Sequence, residues 1–581
     1  MRMFSTAKSS ALPRCCARLC ILLLLAFPSA AQTEAKHTYQ QIVCKQFALA
    51  DAGIPAILRQ ALNGQPKMQV RDAQRRLWQA SSHGLVEIEP SGKKRIWTGK
   101  DALPILALTG LALGPDGRLW LATRQGAVCF QPDAPAGQHW FYFWGKRYLS
   151  DNRVAQIVAE RDRAWVRTQT GASRIEFEPF DLERKSALFV DRLQSRHNRY
   201  GYTADCELQR PGDASSFRLA PSDNDGLWTA IYVTAECFRF AVTHSPEALR
   251  NARHSLAALL RLESITGIPG FPARALIHRG DYRAPEGEWH WTSDGEWEWK
   301  GDTSSDELVG HFLAYAVAYD LLPDESDRAA IRGAAGRIAG HLLDHGPELV
   351  GFGGRVTRWG KYSPAYFQTA EGKQDEALNS LELLSHLRVA YHITGEERLL
   401  TAYRELIQQR GYLENVMRGF CEASHEVNYS DEELAFLSFY ALLRYEDDPA
   451  LRSQFQAALT FLWRSCAAER NPLWNFIYAA GTGATDYDAP AALEALERIP
   501  LDTIAWTVKN SQRVDLPRAP SADRFREKQS LRALAASERG VMKWNGNPFQ
   551  LDYLSAGGSE DEGGFFLLPY WLGRFHKLLA P

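Results

Sequence analysis

The sequence predicts a multidomain β + α protein, with a β-rich domain at residues 38–185 followed by an (α/α)6 toroid at residues 186–581. Two patterns predict this organisation. In the first part, short Leu-Trp strands recur between glycine-containing turns, as in β-hairpins. In the second part, acidic helix starts are each followed by an apolar helix, a break and a more charged helix. Hairpins with apolar inner helices and charged outer helices would close into a ring.

Length and composition describe an ordinary globular protein with room for two cores. The chain has 581 residues, of which 45% are hydrophobic and 23% charged, and its formal net charge is −2. So little net charge gives no field that attracts nucleic acid or an anionic membrane, and we expect neither as a partner. The oligomeric state stays open at this point.

The first 31 residues have the pattern of a secretory signal peptide. Basic residues precede an apolar run at residues 19–27, and Ser29, Ala30 and Ala31 follow as a small-residue cleavage site. The apolar run is too short to cross a bilayer as a helix. We therefore expect residues 1–31 to be removed and the protein to be exported, to the periplasm or the extracellular space.

The sequence gives no indication of a metal or a cofactor. The six cysteines that follow the signal peptide lie far apart and form no Cys-x-x-Cys pair, which argues against a zinc site. The nucleotide-binding motif Gly-x4-Gly-Lys-Ser/Thr and the zinc motif His-Glu-x-x-His are both absent. We expect no metal and no cofactor.

A tryptophan repeat organises the β-rich part. Trp78, Trp120 and Trp165 are 42 and 45 residues apart, and a glycine stands six residues after each of them. The turn, the short strand and the second turn resemble the short repeats of two-component-regulator-type β-propellers. That resemblance implies a propeller-like domain, and three repeats imply a partial one, because a closed propeller has four or more blades.

Five acidic helix starts mark the helical part. Asp225 stands at the first, and Asp-Glu dipeptides stand at the others, at residues 306–307, 375–376, 431–432 and 561–562. The gaps between starts are 81, 69, 56 and 130 residues, so the last gap is about two units long. A degenerate unit is therefore expected near residues 475–505, which makes six helical hairpins.

The helix starts and the run His-Ile-Thr-Gly-Glu-Glu-Arg-Leu-Leu at residues 392–400 resemble the six-hairpin glycosidase-like superfamily. The resemblance covers roughly residues 190–580. It implies an (α/α)6 toroid with a substrate funnel where the inner helices begin. It does not choose an activity, because hydrolases, lyases and sugar epimerases share this scaffold.

The acidic helix starts supply candidate catalytic residues. Cleavage of a glycosidic bond needs one protonated carboxyl as acid and one ionised carboxylate as base or nucleophile. We expect Asp306 or Glu307 as the acid, and Asp431 or Asp225 as the base. The alternative interpretation is helix capping, because a Ser-x-x-Asp/Glu box precedes most of these helices and first-turn acids also offset the helix dipole.

Aromatic and polar residues near the same helix starts are candidates for substrate binding. Residues 286–302 alternate tryptophan with charge, which indicates a hairpin whose flat faces could stack on sugar rings, or equally a half-buried strand. His311 could hydrogen-bond to a carboxylate one turn before it, although a structural histidine is the alternative. The candidates are Trp297, Trp299, Asp302, His311, Trp359, Tyr362, Asn428 and Trp544.

These observations favour an exported glycoside hydrolase that acts on a poly- or oligosaccharide. Two alternatives stay open. A polysaccharide lyase acting on uronates would use Tyr202 or His197 as the base. A non-catalytic glycan-binding or sensory module would use both domains for recognition alone. The sugar, the linkage and exo or endo action are not fixed by the sequence.

Overall fold

The computed structural model of the protein describes residues 36–51, 53–59, 67–135, 139–421, 428–519, 530–540 and 542–580. The predicted signal peptide at residues 1–31 lies outside these ranges. None of the described helices is both long enough and apolar enough to cross a bilayer.

In the described residues, the β-rich part contains three four-stranded antiparallel sheets and one short helix, α1 (Ala56–Arg59). The first sheet has the order β2-β3-β4-β5, the second β6-β7-β8-β9 and the third β10-β11-β12-β1. Their strands are β1 (Tyr39–Phe47), β2 (Gln69–Arg71), β3 (Leu77–Ser81), β4 (Gly84–Ile88), β5 (Lys94–Trp97), β6 (Leu108–Leu113), β7 (Leu119–Thr123), β8 (Gly126–Phe130), β9 (Trp140–Phe143), β10 (Gln156–Glu160), β11 (Arg163–Arg167) and β12 (Ala172–Phe180).

The tryptophan repeat occupies the same position in each sheet. Trp78, Trp120 and Trp165 lie buried on β3, β7 and β11, the second strand of each unit along the chain. Gly84 begins the next strand at φ 131°, and a Cβ there would lie 2.3 Å from the Trp97 carbonyl oxygen, so the position requires glycine. The repeat is thus a repeated sheet. A propeller is not shown by these sheets, and the propeller resemblance stays a prediction.

The helical part contains thirteen described α-helices. They are α2 (Leu182–Arg196), α3 (Asp225–Thr243), α4 (Pro246–Ser264), α5 (Ser305–Leu321), α6 (Glu325–Asp344), α7 (Gly372–Thr394), α8 (Glu397–Gln409), α9 (Tyr412–Cys421), α10 (Tyr429–Tyr445), α11 (Pro449–Cys466), α12 (Pro472–Thr482), α13 (Ala489–Arg498) and α14 (Gly564–Phe575).

Six of these described helices form a closed inner ring. Helices α3, α5, α7, α10, α12 and α14 each pack on the next, and α14 packs on α3. Helices α4, α6, α8, α11 and α13 follow the first five as outer partners, while α2 packs outside α14. The prediction of an (α/α)6 toroid is confirmed. The degenerate unit expected near residues 475–505 is the α12–α13 hairpin.

The connections between the helices of the ring contain short strands. They form a four-stranded sheet β16-β15-β23-β22, a three-stranded sheet β17-β19-β18 and two β-ribbons within the described residues. These strands are β13 (Asn198–Arg199), β14 (Tyr202–Thr203), β15 (Cys206–Leu208), β16 (Phe217–Leu219), β17 (Ala275–His278), β18 (Trp289–Trp291), β19 (Trp297–Lys300), β20 (Glu348–Val350), β21 (Val356–Lys361), β22 (Ile504–Lys509) and β23 (Asp552–Glu560).

A buried lysine joins two outer helices of the ring. The Lys185 Nζ on α2 donates to the carbonyl oxygens of Leu496, Glu497 and Ile499 at 2.9, 3.0 and 2.5 Å. These carbonyls belong to the C-terminal end of α13, where helix carbonyls have no partner in the helix itself. Burial lowers the pKa of Lys185 well below its usual value. The lysine therefore acts as a C-terminal cap supplied by another helix.

We predict that Lys185→Met lowers the free energy of unfolding by about 2–4 kcal/mol, because three buried carbonyls lose their donor. The change is measured as a fall in the melting temperature in calorimetry. Arg184→Met, at the exposed neighbouring position, is the matched control and should leave the melting temperature close to that of the parent. Equal melting temperatures for the two variants would contradict the capping role.

Candidate active site

The first turns of the inner helices bring acidic side chains together at one end of the ring. Asp306, half-buried in the first turn of α5, is at the centre of this mouth. Its charge raises the pKa values of Glu307, Glu382, Asp431 and Glu433. These residues belong to α5, α7 and α10, three consecutive inner helices. The sequence-predicted residues Asp306, Glu307 and Asp431 therefore share one electrostatic environment.

Asp431 is the carboxyl of the mouth that is open to solvent and has a raised pKa. Its pKa is raised to about 7, first by desolvation within the mouth and then by the charges of Asp375 and Asp306. Asn428 is the N-cap of α10, and its side chain opposes the shift by hydrogen-bonding to the charged form. Asp431 is thus exposed enough to meet a substrate and holds a proton near neutral pH.

Glu433 lies two residues after Asp431 on the same helix, α10. The capping-box interpretation is wrong for this residue, because the N-cap of α10 is Asn428 and not Ser430. Glu433 is buried, and its Oε1 has no hydrogen-bond partner among the described residues. Burial raises its pKa to about 8, Lys543 opposes the shift, and Asp306 and Glu562 add to it.

Glu382 was missed by the sequence analysis. It lies in the third turn of α7, fully buried, and neither carboxylate oxygen has a partner among the described residues. Burial raises its pKa well above the usual value, and the charges of Asp306, Asp431 and Asp375 raise it further. The predicted binding residue Tyr362 lies beside it, with a fully buried hydroxyl that also has no partner there.

Glu307 and His311 lie beneath the mouth on α5. Glu307 is fully buried, and its pKa is raised well above the usual value by burial and by Asp225 and Asp306, with Arg274 opposing. A Cβ on Gly226 would lie 1.8 Å from Glu307 Oε2, so a glycine at the start of α3 makes room for this carboxyl. Of the two interpretations of His311, the structural histidine fits better, since its Nδ1 donates to the Glu307 backbone carbonyl at 2.7 Å and its Nε2 has no partner among the described residues.

The carboxylate of Asp225 is occupied by hydrogen bonds and by an ion pair. Its Oδ2 accepts a hydrogen bond from Arg199 at 2.7 Å, and its Oδ1 accepts from the backbone N–H and hydroxyl of Ser222 at 2.7 and 2.8 Å. The residue is fully buried. The N-cap of α3 is Asn224 and not Ser222, so the capping-box interpretation is also wrong for Asp225, which instead holds the turn before the helix and forms a buried ion pair with Arg199.

The tryptophan-rich run forms the predicted hairpin just before α5, with β18 and β19 antiparallel. Trp299 is buried, and its ring stacks near His290 at 4.4 Å between centroids, so the structure contradicts its expected contact with a sugar. Trp297 is half-buried, and the Arg261 guanidinium covers its face at 3.7 Å. The half-buried-strand interpretation fits these two residues better.

Two other predicted residues lie on the rim next to α5. Asp302 adopts φ 52° and its Oδ1 accepts a hydrogen bond from the backbone N–H of Arg358 at 2.8 Å, which ties the middle of β21 to the segment before α5. Trp359 follows on β21 and is exposed, with Arg358 stacked at 4.6 Å. Arg358 covers one face of Trp359, so at most its other face can stack on a sugar, whereas Asp302 positions the strand.

Residues 542–564 lead into α14 and include two charged groups, Lys543 and Glu562, that act on Glu433. Trp544 is buried against Phe565 and has an indole N–H without a partner among the described residues. Lys543 pairs with Asp205 at 2.6 Å and covers the Trp228 ring at 3.9 Å. The pKa of Glu562 is raised to about 8, chiefly by burial, although Lys543 opposes the shift.

The proposed bases of the lyase alternative are both occupied. Tyr202 is buried, and its hydroxyl donates to the Ala258 carbonyl at 2.9 Å. His197 is buried, with Nδ1 2.9 Å from the Ala204 carbonyl and Nε2 3.3 Å from Glu560. Neither side chain can reach a substrate in this structure, so the expectation that one of them acts as a base is not supported.

Two groups of described residues have potential metal-ligand atoms close together, His197 with Cys206 and Glu560, and Glu432 with Cys466 and Glu469. In the first group, Arg196 already forms a bidentate pair with Glu560 at 2.8 and 2.9 Å. In the second, Glu469 accepts a hydrogen bond from the Trp474 indole at 3.0 Å. Neither group includes Asp306 or Asp431.

We predict that Glu433→Gln becomes more stable relative to the parent protein as the pH rises from about 4.5 to 8. The raised pKa of about 8 means that Glu433 stabilises the fold while protonated and loses that contribution as it ionises. Melting temperatures of both proteins at pH 5 and pH 8 test this, because the difference between them cancels other titrating groups. A difference that does not change with pH would contradict the assignment.

Comparisons with known proteins do not identify a family for this chain. No family model and no curated protein matches the chain. Similar solved structures include a sugar epimerase from a ruminal bacterium (13% identity, 53% of this chain, 85% of that chain, TM-score 0.33). They also include a D-mannose isomerase (10% identity, 68% of this chain, 97% of that chain, TM-score 0.37). A third is AaCel9A in complex with a cellobiose-like isofagomine (13% identity, 80% of this chain, 97% of that chain, TM-score 0.34). These likenesses are too slight to carry an argument about this chain.

Proposed function

We propose that this protein is an exported carbohydrate-active enzyme that hydrolyses a glycosidic bond at the mouth of the ring. One observation carries the proposal: Asp431 is open to solvent with a pKa raised to about 7, in the same electrostatic environment as the Asp306 carboxylate. Glycoside hydrolysis needs such an acid beside such a carboxylate. Export rests on the signal-peptide pattern of residues 1–31.

The roles of the two carboxyls are the reverse of the sequence-based expectation. Asp431, protonated near neutral pH, donates its proton to the leaving oxygen as the bond breaks. Asp306, half-buried and held by the Ser304 hydroxyl at 2.7 Å, acts as base or nucleophile toward the anomeric carbon. Glu307 fits neither role, because it is fully buried below the mouth. Trp359 on the rim provides a face on which a sugar can stack.

The arrangement favours hydrolysis over the two alternatives. A uronate lyase needs a base for the proton next to the carboxyl and a cation that neutralises that carboxyl, whereas Tyr202 and His197 are occupied and the mouth is acidic. A purely binding module has no need of an exposed acid whose pKa is raised to about 7, as that of Asp431 is.

We predict that Asp306→Asn and Asp431→Asn each lower kcat/KM by about 10²–10⁴, the usual contribution of a general acid or base. The purified protein is first screened on neutral, amino-sugar and uronate polysaccharides for new reducing ends and for the ultraviolet absorbance of unsaturated products. Asp225→Asn, which changes a structural carboxyl, is tested beside them for folding and activity. Unsaturated products, or unchanged activity in both mouth variants, would sink the hydrolase proposal.

The pH profile gives a second test. Since Asp431 must be protonated to act as the acid, kcat/KM falls as the pH rises through about 7. Asp375→Asn removes a neighbouring negative charge that raises the Asp431 pKa, so the alkaline limb of the profile moves to lower pH. Glu397→Gln, an exposed change at the start of α8, leaves the profile in place. An alkaline limb that is unmoved in Asp375→Asn would exclude Asp431 as the acid.

A further inference from the structure

A cavity of about 130 Å³ lies where the β-rich part meets the ring. The β-rich part contributes Ala102 and Trp140 to its wall, and the ring contributes α13 and two segments between β22 and β23. This volume is well above the about 10–15 Å³ that one water molecule needs, so a ligand of several heavy atoms fits. The candidate catalytic residues of the mouth are not part of the described lining, and the proposed reaction does not use this cavity.

Arginine dominates the polar lining of the cavity. Five arginines from four separate segments of the ring line it, together with three carboxylates, among the described residues. The arginines are Arg470, Arg498, Arg513, Arg532 and Arg539, and the carboxylates belong to Glu494, Asp515 and Glu538. We call the five arginines the junction arginines. The described lining therefore carries an excess of two positive charges.

The two carboxylates between β22 and β23 are already shared among arginines. Asp515 accepts two hydrogen bonds from Arg513, at 2.7 and 2.9 Å, and a third from Arg532 at 3.3 Å. Glu538 accepts a hydrogen bond from Arg513 at 2.7 Å. Arg498 Nη2 lies 3.9 Å from Glu538 Oε1, which is too long for a hydrogen bond. The carboxylates of the lining are thus used mainly by Arg513, and Arg498 is left with a distant one.

Arg498 has a donor that requires a partner. Its Nε is buried and has no hydrogen-bond partner among the described residues. Its guanidinium packs on the Phe141 ring at 4.6 Å, which holds the side chain in place without satisfying that N–H. Arg539, on the same cavity, donates its Nε to the Leu534 carbonyl at 2.8 Å, and burial lowers its pKa to about 10. Buried donors and buried charge without a counter-charge cost free energy, and an anion in the cavity would relieve that cost.

The chemistry of the guanidinium group indicates the class of anion. The group is planar and presents parallel N–H donors that match two oxygens of a phosphate or sulfate group. Lysine, which attracts anions as a point charge, does not occur in the described lining. A neutral sugar would leave the excess charge uncompensated. The lining therefore favours a compact anion with several oxygens.

From these observations we propose that the junction arginines bind a tetrahedral oxyanion, phosphate or sulfate, either as the free ion or as the ester group of a sugar. The cavity wall includes both α13 and the β-rich part, so the bound anion stabilises the contact between the two parts of the protein. The site is separate from the mouth, and its assignment does not depend on the hydrolase proposal.

The test is calorimetric titration of the full-length mature protein at pH 7 and constant ionic strength. The probes are sodium phosphate, sodium sulfate, glucose 6-phosphate and sodium chloride. The best of the three oxyanions should bind with a Kd at least about tenfold lower than that of chloride, as charge-assisted hydrogen bonds predict. Tighter binding of glucose 6-phosphate than of both inorganic ions supports a sugar ester as the source, and the reverse order supports the free ion. A Kd for chloride as low as those of the oxyanions would overturn the inference.

Variants separate this site from general attraction to a charged surface. Arg498→Gln should raise the oxyanion Kd at least about tenfold, and Arg498→Lys, which keeps the charge but loses the planar fork, should fall between it and the parent. Arg410→Gln removes an exposed arginine that bonds Glu405 elsewhere on the ring, and it should leave the Kd unchanged. Melting temperatures in chloride show which variants are folded.

A second variant covers the case in which Arg498→Gln does not fold. Arg532 has a side chain that is 51% exposed, so Arg532→Gln changes the same cavity from its open side and should also weaken oxyanion binding. An unchanged Kd in the folded variants of the cavity, or an equal loss in Arg410→Gln, would overturn the inference. Sulfate stabilises many proteins without a site, so a rise in melting temperature counts as support only where Arg498→Gln or Arg532→Gln reduces it.

Discussion

The parallel alignment of the inner helices is the constraint on which the rest of the structure depends. Each of the first five inner helices is followed by an outer helix that runs back, so all inner helices start at the same end of the ring. Neighbours approach closely: a Cβ on Gly310 of α5 would lie 2.7 Å from the Leu227 Cα of α3. Acids in the first turns of separate helices are therefore brought into one space, where their charges act on one another.

This crowding sets stability against function at the mouth. Burying Glu307, Glu382 and Glu433 costs free energy, because none of them forms a salt bridge among the described residues and each must keep its proton or remain a poorly compensated charge. The apolar faces of the ring offset this cost through the burial of large side chains such as Trp474 and Tyr315. Departures from the usual pairing of buried polar groups are expected where a site needs perturbed acidities.

The ring could be predicted from the sequence because helical period and acidic starts are local signals, and even the degenerate α12–α13 unit followed from spacing. The partnership of α2 with α14 could not, because nothing local relates residue 182 to residue 564. Glu382 could not be identified from the sequence, because a glutamate among leucines is typical of a solvated helix face. Only closure of the ring buries this side of α7 as well. Trp299 was misassigned because alternation cannot say which strand face is covered.

Asp225 and Asp431 show why the roles of the candidate site residues could not be predicted from the sequence. Both are acids in the first turn of an inner helix, and a capping argument treats them alike. Arg199 pairs with Asp225 and makes it structural, whereas burial together with the charges of Asp375 and Asp306 raises the pKa of Asp431 to about 7. The role of each carboxyl is thus decided by neighbours that belong to other elements of the fold.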